Sequence, residues 1–180
     1  MKGIVYTSLL KAHTSKVEPI AQEHRETEAL IKQCGIPFTI LRNGLYYEYH
    51  FEYSHLSNVQ GCLSAGTFFG CAGHTGKFSS APRADYAAAA VAVLTSPPGT
   101  YEGQTLELAG NPEVAYTLPE MGAVVAKLTG KSFKYTDIPY EENAKVLASK
   151  GVLPALTVTS LSLQPLAAHY VALCLVLWLA

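Results

Sequence analysis

The spacing of hydrophobic and polar residues changes several times along the chain, and each change marks a predicted element. Ile4–Ser8 is a short β-branched and aromatic run, which predicts a strand. Leu9–Pro19 mixes His, Thr, Ser, Lys and Pro and predicts a loop. From Glu18 to Cys34, Ile20, Ala21, Ala29, Leu30 and Ile31 form an apolar stripe with Glu, His, Arg and Lys outside it, the pattern of an amphipathic helix. Gly35 suits the position just past a helix end, and Pro37 prevents continuation. Phe38–Leu41 predicts a second strand, ended by Arg42-Asn43-Gly44. Strand, helix and strand with short connections are the pattern of a parallel β-α-β unit, so the expected class is α/β.

Leu45–Val59 predicts a helix rich in aromatic residues: Tyr46, Tyr47, Tyr49, Phe51 and Tyr53. Gly61–Pro82 is glycine-rich and strand-like, with short strands expected at Thr67–Phe69 and Lys77–Ser79. Asp85 is the expected N-cap of an alanine-rich helix that Pro97-Pro98-Gly99 breaks. Beyond it the pattern predicts a strand at Thr105–Leu108, a helix at Leu118–Leu128 stopped by Gly130, a strand at Phe133–Ile138, and a helix at Glu141–Lys150 stopped by Gly151.

Composition narrows the classes. In 180 residues, 49% are hydrophobic and 15% charged, so the chain has ample apolar surface to bury and is not a disordered one. The net charge is −1 with no run of like charges, which gives nucleic acid no basic footprint. Cys34, Cys62, Cys71 and Cys174 lie far apart without metal-ligand spacing, so reduced thiols in the cytoplasm and no metal are expected. The residues around Ile4 show no secretory h-region. After Leu161 the chain becomes mostly apolar. Gln164, Pro165 and His169 interrupt it, leaving a run shorter than the ~20 residues of a spanning helix. A buried helix or docked tail is expected rather than a membrane anchor. The composition shift divides the chain into 1–154 and an apolar tail, 155–180.

Gly70, Gly73 and Gly76 have the spacing of a phosphate-binding fingerprint. Such a loop must lead into a helix. Lys77–Pro82 alternates and ends in proline, so a turn between strands is expected instead. The Tyr-x-x-x-Lys pair of hydride-transferring dehydrogenases is absent at Tyr6, Tyr46, Tyr47, Tyr49 and Tyr53. Ser8, His24 and Asp85 offer a nucleophile, base and acid, but spacing does not link them. The aromatic segment after Asn43-Gly44 follows the carboxyl end of a parallel strand. Ligands bind there in open α/β sheets, so flat rings can wall a planar substrate or a nicotinamide as well as fill a core.

Four strings occur in one order: Ile4-Val-Tyr-Thr-Ser-Leu-Leu10, His24 with Thr27-Glu28, Gly35-Ile-Pro-Phe-Thr-Ile-Leu-Arg-Asn-Gly44, and Arg83-Ala-Asp-Tyr-Ala-Ala-Ala-Ala90. The set, from Ile4 to Gly151, resembles the NmrA-like group of atypical short-chain dehydrogenases, and within it the type 2 NAD(P)H:quinone oxidoreductases. The resemblance implies the C-terminal part of a Rossmann-like NAD(P)-binding fold with a small α+β substrate part. It implies hydride transfer from NADP or NAD to a quinone. Tyr6, Thr7 and Ser8 would lie beside the nicotinamide. Asn43, Gly44, Leu45, Tyr46, Tyr47, Glu48 and Tyr49 would line the cofactor and substrate crevice, with Arg83 near it. Isoflavone-reductase-like relatives carry a lysine where this chain has His24, so His24 and Tyr46 are the candidate catalytic side chains. The chain departs from the family pattern in opening at the Tyr-Thr-Ser strand, where members place a glycine fingerprint and further β-α units ahead of it. A truncated parallel sheet, impaired dinucleotide binding and self-association through an exposed sheet edge are the expectations. The missing dyad equally suits a non-catalytic redox-sensing regulator that binds dinucleotide and a protein partner.

Overall fold

The structure, a computed structural model, describes residues 3–15, 20–52, 58–149 and 177–178. The elements are β1 (Ile4–Leu9), α1 (Ile20–Gln33), β2 (Phe38–Asn43), α2 (Tyr47–Glu52), α3 (Val59–Ala65), β3 (Thr67–Gly70), β4 (Lys77–Phe78), α4 (Arg83–Thr95), β5 (Thr105–Leu108), β6 (Tyr116–Thr117), α5 (Leu118–Thr129), β7 (Lys134–Asp137), α6 (Tyr140–Ser149) and β8 (Leu177–Trp178). They fall into two compact units that alternate in sequence. The first is Met1–Leu45, Ala81–Gly110 and Leu163–Ala180; the second is Tyr46–Ser80 and Asn111–Ser162. No helix among the described residues is long and apolar enough to cross a membrane.

The first unit is a sheet of order β5-β2-β1-β8. β1 and β2 run parallel, from Ile4 opposite Phe38 to Leu9 opposite Asn43, and β5 continues parallel with Asn43 opposite Leu108. The β-α-β expectation is met because β1 and β2 are connected through α1. Tyr6, Ile40 and Leu41 are almost wholly buried, with Ala21, Tyr86 and Ala90 beside them in the core. α4 begins at Arg83, with Pro82 as its N-cap residue and no side-chain cap bond, so Asp85 is not the cap. Pro82 already has an extended entry conformation (φ −61, ψ 147), which leaves Asp85 in the first turn, where a carboxylate still favours the helix dipole. Leu177 and Trp178 pair antiparallel with Val5 and Ile4, so the β1 edge expected to be open carries this short pairing. The rest of the apolar tail, the boundary near 154 and the Gly151 stop lie outside the described residues.

The second unit pairs β3 with β7 in parallel and β4 with β6 antiparallel. Phe68, Leu118, Phe133 and Tyr135 form its core, with the Phe68 and Phe133 rings stacked 5.5 Å apart. Gly122 lets α5 lie close on β7: a Cβ there would come within 3.2 Å of the Tyr135 amide nitrogen and 3.3 Å of Phe68. α5 starts on a capping box, in which Thr117 accepts from the Glu120 amide and Glu120 accepts from the Thr117 amide.

Two expectations fail here. The helix expected over Leu45–Val59 is confined to Tyr47–Glu52, and Val59 begins a separate helix capped by Asn58, whose side chain accepts from the Gly61 amide. Residues 53–57, including Tyr53, are outside the described residues. Gly61–Ala65 is therefore helical rather than strand-like, because the local Asn58 cap satisfies the first turn.

Candidate functional site

The carboxyl ends of β1, β2 and β5 lie at one edge of the first unit's sheet, as parallel strands require. Asn43 O accepts from the Leu10 amide, and the Gly44 amide donates to Leu108 O, both at 2.8 Å. A Cβ at Gly44 would meet Tyr86 Oη at 3.0 Å, Leu108 O at 3.1 Å and Leu10 Cδ2 at 3.3 Å, so only glycine lets these three elements converge without a shift. Leu45 O accepts from the Ala81 amide at 3.2 Å and from Tyr86 Oη at 3.4 Å, which brings the start of α4 and Arg83 to this edge. Of the candidate residues, the structure thus gathers Thr7, Ser8, Asn43, Gly44, Leu45 and Arg83 at the strand ends, with Tyr6 one turn of the pleat below.

Alternation along β1 separates the consecutive Tyr6, Thr7 and Ser8. Tyr6 and Ser8 point at α1. The Tyr6 hydroxyl lies 2.7 Å from His24 Nδ1, and Ser8 Oγ donates to Glu28 Oε1 at 2.6 Å. Thr7 faces the opposite side. Ser8, His24 and Asp85 do not form a nucleophilic set: Ser8 is held by Glu28, and His24 by Tyr6.

α1 also departs from its expected stripe. Its buried residues are Ala21, His24 and Glu28, whereas Leu30 is 68% exposed. The reason lies on the strands it covers. Arg42 projects from β2 under α1 and binds Glu28 through two parallel bonds, Nε to Oε1 at 2.9 Å and Nη2 to Oε2 at 2.7 Å. Its Nη1 donates to Glu107 Oε1 of β5 and to His13 Nδ1, each at 2.8 Å. His13 Nδ1 is therefore an acceptor. Glu107 also accepts from the Lys11 amide at 2.7 Å. One guanidinium so ties β2 to β5, to α1 and to the loop after β1, and through Glu28 to Ser8 of β1.

Burial pushes the Glu28 carboxyl up, but hydrogen bonds from Arg42 and Ser8, with the charges of Arg42 and Lys32, outweigh it and hold it below its ordinary value. Arg42 is raised by its bond to Glu28 and stays charged. His24 is lowered, chiefly by burial and against the nearby Glu23 and Glu28, so its imidazole is neutral near pH 7. The cluster was missed in the sequence because Arg42 and Glu28 are 14 residues apart. A charge inside an apolar strand, and a carboxylate four residues after His24 on the covered helix face, were the available signals.

Tyr46, Tyr47, Glu48 and Tyr49 belong to the second unit. Tyr47 stacks on Tyr116 with centroids 5.8 Å apart and planes 13° from parallel, and Phe78 lies against Tyr116 at 6.1 Å. His50 meets Phe78 and Tyr116 edge-on. The Tyr116 hydroxyl donates to Ser80 Oγ at 3.1 Å and lies 2.9 Å from His50 Nε2. Burial lowers His50 from 6.5 to about 4 and raises the Tyr116 phenol. Tyr116 and His50 were not candidates in the sequence, since 66 residues separate them and β6 is only two residues long.

The Gly70–Gly76 run joins β3 to β4 with no helix after it, as expected. The amides of Ala72 and Gly73 donate to Tyr135 Oη at 3.1 Å and Asp137 Oδ1 at 2.9 Å, so they serve β7 rather than a phosphate. Among the described residues no group of three or more His, Cys, Asp or Glu is placed to hold a metal.

No family model matches the chain. It is 41% identical over 152 residues to quinone oxidoreductase 2 of Escherichia coli (strain K12), covering 84% of this chain and 49% of that protein. The crystal structure of the NADPH-dependent quinone oxidoreductase QOR2 from Escherichia coli, complexed with NADPH, matches with a TM-score of 0.74 and 40% identity over 88% of this chain and 52% of that one. Triphenylmethane reductase of Citrobacter sp. matches with a TM-score of 0.73 and 30% identity over 87% of this chain and 51% of that one. A nucleoside-diphosphate-sugar epimerase from Staphylococcus aureus, 19% identical with a TM-score of 0.70 over 87% of this chain and 53% of that one, shares the fold. The chain spans about half the length of the curated relative it matches.

Proposed function

We propose, for a chain that is homologous to quinone oxidoreductase 2 and belongs with the NmrA-like atypical short-chain dehydrogenases, a role in reducing quinones with NADPH in the cytoplasm. The observation that carries this reading is the carboxyl edge of the β1, β2 and β5 sheet. There the family's Tyr-Thr-Ser and Asn-Gly strings converge, within a region 41% identical to the relative. This edge fits the nicotinamide end of a dinucleotide: it offers the polar Thr7 and Asn43 and the turn at Gly44–Leu45. For the pyrophosphate, the described residues offer no glycine loop leading into a helix, because the one glycine run is bonded to β7.

NADPH, when bound, supplies the hydride. Thr7, Asn43 and Gly44 would hold its nicotinamide end at the strand ends, and Arg42, clamped by Glu28 and Glu107, keeps those ends in register. His24, bonded to Tyr6, keeps its imidazole uncharged beneath the site, because burial disfavours the imidazolium. Quinone-dependent loss of NADPH absorbance with the purified chain tests the proposal. Repeating the assay with the first half of the Escherichia coli relative added as a separate polypeptide separates a shortage of pyrophosphate contacts from a failure to act on quinones. Turnover of neither mixture would overturn the reading.

A further inference from the structure

Lys11 is the one residue other than glycine with a positive φ among the described residues, at 51°. Its Cβ crowds the backbone in that region, so a lysine stays there only where surrounding bonds over-determine it. Those bonds are present. The Lys11 amide donates to Glu107 Oε2 at 2.7 Å, and Lys11 O accepts from the Thr14 and Ser15 amides at 2.9 and 2.8 Å. The Ala12 amide reaches back to Leu9 O at 3.0 Å. Ala12 is wholly buried, and its carbonyl accepts from Arg25 Nη1 at 3.0 Å. Residues 9–15 thus form a tight turn directly after Thr7 and Ser8.

Most of these ties are local, but Glu107 comes from another strand to the residue whose conformation is costly. A carboxylate accepting a backbone amide makes one of the stronger hydrogen bonds. This carboxylate is also fixed from behind. Ser8, Arg42 and Glu107 stand in one row across β1, β2 and β5, and Glu107 Oε1 accepts from Arg42 Nη1 at 2.8 Å. Arg42 in turn is forked onto Glu28. We propose that Glu107 is a positioning residue for the candidate cofactor edge: by holding Lys11 left-handed it turns the chain back at the end of β1 and sets where the backbone beside Thr7 and Ser8 lies. This inference rests on the proposed function in taking that edge as the nicotinamide site. The turn itself stands on its bonds alone.

Two readouts on the full chain test it. One is hydrogen exchange at the Ala12, Thr14 and Ser15 amides. The other is affinity for reduced nicotinamide mononucleotide, which has the nicotinamide end without the pyrophosphate, followed by its fluorescence. Saturable binding is expected for wild type. Glu107→Ala should speed the exchange and weaken the affinity by about tenfold each, the ratio that matches the cost of a left-handed residue. Lys11→Val should do the same with Glu107 in place, because a β-branched side chain tolerates positive φ poorly. Lys11 is exposed, so this variant decides the matter should Glu107→Ala fail to fold, as circular dichroism will show. Adding Lys11→Gly to Glu107→Ala should bring both readouts back to within about threefold of wild type, since glycine adopts positive φ freely. Unchanged exchange in Glu107→Ala and Lys11→Val overturns the inference, as does a loss that Lys11→Gly does not recover. Faster exchange with unchanged affinity overturns the positioning role while leaving the nicotinamide reading of the edge standing. Absence of binding by wild type removes that reading, and the positioning role with it.

Discussion

The first unit takes a carboxylate paired with a guanidinium into its interior, while the second centres on Phe68, Leu118, Phe133 and Tyr135; each also buries one imidazole, His24 and His50. Both satisfy the demand that buried polar atoms find partners, but they meet it in different ways. In the first unit, Glu28 and Arg42 fix which residue of β1, β2 and β5 stands beside which, since bidentate bonds tolerate little displacement. A buried ion pair adds little net stability over apolar side chains of similar volume, so its contribution is geometric. In the second unit, burial of the rings contributes stability in proportion to the area removed from water, and their stacking adds only a softer geometric preference. The difference teaches where precision is placed: the polar clamp sits under the strand ends that carry the candidate cofactor residues.

Removing one side of the clamp should have the largest effect. Glu28→Ala leaves the buried Arg42 charged with only the half-exposed Glu107 as its counter-ion, and a loss toward the lower end of about 3–5 kcal/mol is expected. Denaturant unfolding measures the loss, and hydrogen exchange should show it at β1 and β2 with β3 and β7 still protected. The paired change Glu28→Leu with Arg42→Met should recover most of it. A single variant losing under about 1 kcal/mol would mean that the clamp is solvated and the contrast between the units is false.

Acid provides a break on the other side. The His50 value is depressed from 6.5 to about 4. Between those values the unfolded chain binds a proton that the folded chain does not. Stability from this residue is therefore complete above pH 6.5 and is lost as pH falls through the window, by about 3 kcal/mol at its lower end. His24 is displaced in the same direction and adds a loss in the first unit. Glu28 contributes stability that disappears only below the ordinary carboxylate range. His50→Gln should flatten the pH dependence of the second unit between 6.5 and 4, as read from unfolding midpoints across that range.

Smaller effects sharpen the contrast. Thr117→Ala removes the cap of α5 and should cost about 1 kcal/mol, confined in hydrogen exchange to α5 and its neighbours. Lys32→Ala should cost less than about 0.5 kcal/mol, although Lys32 Nζ lies 3.7 Å from Glu28, because its side chain is 44% exposed and water screens the pair. A larger loss at Lys32 would show that the clamp depends on net charge rather than on the fork of Arg42.

Much of the fold was legible locally. β1, α1, β2, β5, α5 and β7 lie where apolar period, glycine and proline place them, because those signals act within a few residues. The glycine run was legible as a turn for the same reason: Pro82 forbids the helix that a phosphate loop needs. The aromatic segment misled, since Asn58 supplies a second helix start that the even spread of tyrosines conceals. α1 misled in the opposite sense. Its most apolar stripe includes the exposed Leu30, and its covered face carries His24 and Glu28.

By itself the sequence determined the class, the order of the elements, the parallel β-α-β start and the kinship, because each is written in short-range pattern or in ordered strings. Tertiary structure alone decided that Tyr6 and Ser8 turn to α1 while Thr7 turns away, that Arg42 meets Glu28 and Glu107, and that Tyr116 closes a stack begun by Tyr47. These pairings join residues from 14 to 69 positions apart, from Glu28 and Arg42 to Tyr47 and Tyr116. A charge or ring separated that far in sequence carries no mark of its partner. The partner is chosen when strands align and burial makes an unpaired polar group too costly to keep.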